Sequence, residues 1–248
     1  MTFKPKLGSN LGSLLEQEKQ KQEIEKQNAL MKTSKEGQTK LEVKFKSPEE
    51  AKERIRIIFD DSGSMSGQKI KDARDGCIEF MRNCVVNETA CAIHLMNPQY
   101  QSGLVDISNL TTNLPALSIL IQKIEAPGGT PLFETTRKAQ ASKPSATRYV
   151  VFSDGCPNNE DDKEQVISKA IEEKTPIDTV LISSYEVTEI DRAYQILKEL
   201  ADRTGGYFLV FDRNKVDFKS AFKYLAPTLR GRLSDGKVRL ALMAGELK

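Results

Sequence analysis

Oxygen donors gather in three short stretches of this sequence. The first, Phe59-Asp60-Asp61-Ser62-Gly63-Ser64-Met65, follows the apolar pair Ile57-Ile58 and sets a carboxylate and two hydroxyls on alternate residues, where a buried strand gives way to a tight turn. Asp60, Ser62 and Ser64 can therefore converge. The second, Ser153-Asp154-Gly155, closes another apolar run and delivers a second carboxylate at the same kind of strand end. The third, Ala126-Pro127-Gly128-Gly129-Thr130-Pro131-Leu132, presents one hydroxyl on a loop whose two glycines permit backbone paths that other residues resist, and Pro131 suits a helix start. Carboxylates and hydroxyls without thiolate or imidazole are a hard donor set, which points to Mg²⁺, with Mn²⁺ or Ca²⁺ as alternatives, in preference to Zn²⁺. Paired carboxylates would neutralise a divalent ion. Ligation partly through neutral hydroxyls and water would leave it able to attract one more oxygen from outside.

These donors need a scaffold that brings distant strand ends together. From about residue 54, short apolar runs alternate with amphipathic segments of helix length, the pattern of a parallel sheet covered on both faces. Strands are expected at 54–60, 89–96, 149–153, 177–183 and 207–211. Ile70, Ala73, Cys77, Met81 and Cys84 recur at spacings of three and four, as do Ile190, Ala193, Leu197 and Leu200, so each set lines a helix face. Val166, Ala170 and Ile171 read the same way. A segment near 104–107 follows the second strand too closely for a crossover helix and suits an antiparallel edge strand. The expected fold is α/β, a doubly wound, mostly parallel Rossmann-like sheet in the order 3-2-1-4-5-6, with one antiparallel edge strand and helices on both faces. Ligands of such sheets bind outside the carboxyl ends of the strands where the order reverses. Here that crevice falls between the strands ending in Asp60 and Asp154.

The domain is expected over residues 47–228. Residues 1–46 are rich in Glu, Lys and Gln with sparse apolar positions, and read as a solvated tail or fraying helix, or as an arm that folds on a partner. Residues 229–248 read as a basic C-terminal extension, in which 233–244 suits either a strand or a helical turn. Lys219, Lys223, Arg230, Arg232, Lys237 and Arg239 make this end basic, which reads as a solvated face.

Composition removes several function classes. Among 248 residues, 37 basic and 35 acidic side chains leave a net charge of only +2, so no global field nominates nucleic acid or an anionic membrane. Aromatic interleaving that would stack single-stranded bases is missing from the basic stretch. One histidine and no tryptophan argue against histidine-based catalysis and multi-imidazole metal sites. His94, inside an apolar run, reads as a hydrogen-bonded strand residue. Cys77, Cys84, Cys91 and Cys156 form no CxxC pair and read as reduced, mostly buried thiols. No apolar stretch approaches a membrane span, and the opening MTFKPKLGSN lacks a signal-peptide core, so a cytoplasmic location is expected. Asp161 and Asp162, with Glu164 and Gln165 three residues later, resemble competing capping boxes.

The ordered set of Asp60, Ser62 and Ser64 as DxSxS, then Thr130, then Asp154 resembles the metal-ion-dependent adhesion site of von Willebrand factor A domains. The stretch Leu200-Ala201-Asp202-Arg203-Thr204-Gly205-Gly206-Tyr207-Phe208 is similar to the approach to that family's last strand. The resemblance spans about residues 50–225. It implies that Ser62 and Ser64 bind the metal directly, that Asp60 and Asp154 act mainly through waters, and that Thr130 enters or leaves the coordination sphere as ligand binds. A Glu or Asp carboxylate of a partner protein would fill the open place. The GGTPL and SDG turns are similar to those of intracellular bacterial and phage members, which work beside AAA+ ATPases or in stress and defence systems. Asp61 departs from the family, which often has an apolar residue there. Its side chain either points away from the cation or adds negative field. The resulting expectation is a non-enzymatic, Mg²⁺-dependent protein-binding module. The alternatives are a scaffold whose metal only stabilises the fold, and a metal-dependent phosphohydrolase at Asp60-Asp61, against which Ser62 speaks by standing where a DxD site needs its second aspartate.

Overall fold

Consecutive apolar side chains require a strand with cover on both sides, and the central strands meet that requirement. The computed structural model describes residues 46–82, 84, 88–104, 107–183 and 191–212. Strands β1 (Glu53–Phe59), β2 (Thr89–Leu95), β3 (Arg148–Ser153), β4 (Ile177–Ser183) and β5 (Phe208–Asp212) form one sheet in the order β2-β1-β3-β4-β5, with every pairing parallel. Phe59 stands opposite Leu95 on one side and Phe152 on the other, so β1 and β3 end level with each other. The chain leaves β1 toward β2 and later returns on its other side to β3. This reversal is the crevice the sequence led us to expect.

The expected doubly wound fold is the observed one, but its edge is thinner. At 104–107 the described residues hold no strand. Ile93 N–H donates to the Ile107 carbonyl at 2.8 Å, and Cys91 and Thr111 exchange two bonds of 2.9 Å as an isolated antiparallel bridge. Between these points the Ser108 carbonyl accepts from the Arg56 guanidinium at 3.1 Å.

Alternation along the strands divides the core between two faces. Ile55, Ile57 and Phe59 of β1 pack with Cys91, Ile93 and Phe152 beneath α1 (Gln68–Arg82) and α2 (Leu114–Ile121). Ile58, Tyr149, Val151 and Leu181 face α3 (Leu132–Ala141), α4 (Lys163–Glu172) and α5 (Arg192–Thr204). Each fully buried side chain of this size contributes on the order of 1.5–3 kcal/mol. In α1, Ile70, Ala73, Cys77 and Met81 form the buried stripe as expected, and Ala193, Leu197 and Leu200 do so in α5. In α4 the buried set is Val166, Ile167 and Ala170, whereas Ile171 is 54% exposed. At 100° per residue, Ile167 stands nearer the centre of that stripe than Ile171 does.

The capping boxes expected at Asp161 and Asp162 do not form. Asp162 occupies the N-cap position of α4, but its carboxylate accepts from Arg137 Nε at 3.0 Å, and Glu164 is drawn to Arg203. Longer-range charges outcompete the local cap. His94 is a strand residue, and its Nε2 lies 2.9 Å from Arg56 Nη1. A guanidinium only donates, so Nε2 is the acceptor and Nδ1 carries the proton. Burial first, and then the Arg56 charge, lowers the His94 pKa to about 4. All four cysteines are free, and Cys77, Cys84 and Cys91 are buried. No helix among the described residues is long and apolar enough to cross a membrane. The expected tail (1–46, all but its last residue), Ile190, the basic residues from Lys219 onward and the extension at 229–248 lie outside the described residues.

Candidate metal site

The carboxyl ends of β1 and β3 deliver Asp60 and Asp154 to the crevice. Asp60 follows β1 directly and is fully buried. Its Oδ1 accepts from Ser62 N–H at 2.9 Å, which closes the tight turn, and its Oδ2 accepts from Ser153 Oγ at 2.5 Å. Burial pushes the Asp60 pKa up to about 6; hydrogen bonds from Ser153 and Ser62 oppose the rise, and the Asp154 charge adds to it. Beyond Asp60, Ser62 Oγ lies 2.9 Å from Ser64 Oγ, and Ser64 Oγ donates to Asp154 Oδ1 at 2.8 Å. Four of the five expected donors therefore form one hydrogen-bonded cluster, buried at Asp60 and open to solvent at Ser64.

The fifth, Thr130, belongs to a loop pinned against the same turn. Gly63 N–H donates to the Gly128 carbonyl at 2.7 Å, and Ser62 and Gly128 form a parallel bridge. Asn158 holds Thr130 from the other side: its Oδ1 accepts from Thr130 N–H at 3.0 Å, and its own N–H donates to the Thr130 carbonyl at 2.9 Å. Thr130 is 6% exposed, and its hydroxyl takes no part in the hydrogen bonds that link the other four donors. The two loop glycines have a steric reason. A Cβ on Gly128 would come within 2.0 Å of Asn97 Oδ1, and one on Gly129 within 2.7 Å of Asn158 Nδ2.

Asp61 points away from this cluster. Its Oδ1 accepts from Asn97 N–H at 2.9 Å and from Asn97 Nδ2 at 3.1 Å, and its Oδ2 accepts from Gln101 Nε2 at 2.8 Å. Asn97 also clamps Gly129, donating to its carbonyl at 2.7 Å and accepting from its N–H at 3.1 Å. Gln101 does the same at Glu125, at 2.8 and 3.0 Å. Burial raises the Asp61 pKa, and the Gln101 and Asn97 bonds oppose the rise. Asp61 thus ties the DxSxS turn to the loop that carries Thr130.

Sequence reasoning named the five oxygen donors and passed over the residues that hold them. Asn97, Gln101, Asn158 and Ser153 are positioning residues. Lys69, near the start of α1, donates to Asp154 Oδ2 at 2.5 Å, with the Asp154 side chain 1% and the Lys69 side chain 22% exposed. Only the glycine pair signalled a close neighbour, without saying which one. Among the described residues no three His, Cys, Asp or Glu side chains converge as a metal-binding group, so a cation here would depend on hydroxyls as much as on carboxylates.

No protein-family model and no characterised protein matches the sequence. Solved structures do match the fold. The von Willebrand factor domain of the type V pili tip protein Mfa5 from Porphyromonas gingivalis superposes with a TM-score of 0.52 at 12% identity, covering 71% of this chain and 94% of that one. Proximal thread matrix protein 1 from the mussel byssus, in a form with a zinc-occupied adhesion-site motif, gives 0.53 at 13% identity over 71% of this chain and 46% of that one. The pilus adhesin SpaC from Lactobacillus rhamnosus GG gives 0.52 at 12% identity over 72% of this chain. The chain spans less than half of the mussel protein and 30% of the SpaC chain. Strand order, crevice and neighbours agree: the chain has a von Willebrand factor A-type fold.

Proposed function

We propose that this chain is a divalent-cation-dependent protein-binding module in which Asp60, Ser62, Ser64, Thr130 and Asp154 hold Mg²⁺ and an acidic side chain of a partner completes its coordination. The observation that carries this reading is the run of oxygens from Ser62 through Ser64 to Asp154, set beside the buried Asp60 carboxylate where the strand order reverses. The donor chemistry fits a hard cation. A bound cation would supply Lewis acidity toward an anionic oxygen. The chain's own residues supply the rest. Ser153 and the Ser62 amide orient Asp60 so that its charge acts from the buried side, and Ser64, the exposed member, faces the solvent from which a ligand arrives.

A binding role is favoured over catalysis because the groups a hydrolase would use are committed elsewhere. Both Asp61 oxygens are taken by Asn97 and Gln101, and the only histidine is held as an acceptor by Arg56. The fold neighbours are a pilus tip protein, a pilus adhesin and a byssus matrix protein. A bacterial or phage setting, with an AAA+ ATPase as partner, rests on the GGTPL and SDG turns.

Thermal unfolding and calorimetry with Mg²⁺, Mn²⁺ and Ca²⁺ test the cation. Wild type gains about 2.7 kcal/mol at a cation concentration one hundred times Kd, and Asp154→Ala gains nothing. A partner protein retained by wild type in Mg²⁺ is released by EDTA and is not retained by Asp154→Ala. A wild-type protein with the same Tm in all three cations and in EDTA ends the reading.

A further inference from the structure

Lys69 is unlike the other paired lysines of the described residues. Lys52, Lys138, Lys163, Lys169 and Lys198 bridge carboxylates whose side chains are 32% to 50% exposed, whereas the Asp154 side chain that Lys69 meets is 1% exposed. Its placement also runs against the helix. Lys69 is the second residue of α1, whose first turn contains no acidic side chain, and a cation there opposes the positive end of the helix dipole. Asp154 is the counter-charge that it meets.

Both Asp154 oxygens are engaged, but the two engagements differ in kind. Oδ1 accepts from Ser64 Oγ, and a hydroxyl that donates its proton still has lone pairs for a cation. Oδ2 accepts from the Lys69 ammonium, which has no lone pair and repels a second positive charge. Ser64 is therefore compatible with cation binding, and Lys69 competes with it.

We propose that Lys69 and a divalent cation are alternative partners of Asp154, so that Lys69 sets the cation concentration at which the site loads. The inference rests on the metal-site reading above and concerns its regulation. Loading breaks the Lys69 contact and frees the ammonium to turn toward solvent, which it already reaches with 22% of its side chain exposed. Site occupancy then responds to cation level over a range shifted upward by the strength of one ion pair.

Calorimetric titration with Mn²⁺ and with Mg²⁺ tests this on wild type, Lys69→Met, Lys69→Arg and Asp154→Ala. Lys69→Met keeps the aliphatic stem and binds cation about tenfold more tightly, equivalent to 1.4 kcal/mol. Lys69→Arg keeps the charge and stays within about threefold of wild type. A second readout follows the amine itself. Acetylation of Lys69, read by mass spectrometry, accelerates several-fold when saturating Mg²⁺ is added to wild type and is already fast in Asp154→Ala. Unchanged or weaker binding by Lys69→Met, with Asp154→Ala still abolishing binding, overturns the competition and leaves the metal site standing. No binding by either wild type or Lys69→Met overturns the metal site itself, and the competition with it.

Discussion

The two ends of the sheet both bury carboxylates and treat them in opposite ways. At the amino ends of β3 and β4, Arg148 Nη1 reaches both oxygens of Asp178 at 2.9 and 2.7 Å, and Tyr207 N–H adds a third bond at 2.8 Å. That pair is closed, with a guanidinium matched to a fully buried acid. At the carboxyl ends of β1 and β3, Asp60 and Asp154 are met mainly by hydroxyls and a backbone amide, with one flexible lysine as the charged partner. The lower cluster completes its charge balance within the protein; the upper one has oxygens that can accept a cation. Burial alone separates nothing, since it raises the pKa of both Asp60 and Asp178. What differs is whether the compensating groups can also serve a ligand.

The largest effect should come from opening the closed end. Asp178→Ala leaves Arg148 without its acid and the Tyr207 amide without its acceptor. Breaking a buried pair costs about 3–5 kcal/mol, and because Arg148 can turn partly toward water the lower bound, about 3 kcal/mol, is expected. Urea unfolding measures this loss. Stabilisation by Mg²⁺ should persist in the variant, and its disappearance would dissolve the contrast between the two ends.

Neutralising the open end should act with the reverse sign. Asp60 has a folded-state pKa of about 6 against an ordinary 3.8, so the unfolded chain releases its proton first as pH rises. The stability this group contributes is complete below about pH 3.8 and is lost as pH climbs to about 6. In EDTA at pH 7, Asp60→Asn is therefore expected to be about 2 kcal/mol more stable than wild type, allowing for one weakened hydrogen bond. The advantage should shrink as pH falls through that window and vanish near pH 4, while the response to Mg²⁺ is abolished at every pH. Parallel unfolding curves at pH 4, 5, 6 and 7 give the sign directly. A destabilised variant in EDTA would make Asp60 a structural group like Asp178.

The open end was legible in the sequence where chemistry is local. Asp60, Ser62 and Ser64 share one turn, the apolar runs of β1 and β3 announce strands, and the alternation of runs with amphipathic segments gives a doubly wound order. Asp61, next to the best signal in the chain, was readable only as a departure, because its partners Asn97 and Gln101 lie 36 and 40 residues away. Lys69 looks like an ordinary solvated helix residue until β3 brings Asp154 across 85 positions. At the edge expected near 104–107, the contacts that β2 makes among the described residues are the Ile107 carbonyl and the isolated bridge to Thr111, a pairing too short for periodicity to place.

The smallest effect tests whether the upper end is an assembled unit or two independent loops. Asn97 is the shared hinge: its side chain donates to Asp61 and to the Gly129 carbonyl and accepts from the Gly129 amide, so one residue couples the serine turn to the threonine loop. Asn97→Ala removes these bonds, but water can reach Gly129, which is exposed, so the net loss is about 1 kcal/mol. If the loops act together, amide exchange at 128–130 accelerates and Mg²⁺ binds several-fold more weakly, although all five oxygen donors remain. Added cation should then restore part of the lost protection, because ligation by Thr130 would tie the loop back to the turn. Faster exchange with unchanged Mg²⁺ affinity would mean that Thr130 contributes little to the site. The coordinating unit would then contract to Asp60, Ser62, Ser64 and Asp154, the four residues already joined by hydrogen bonds.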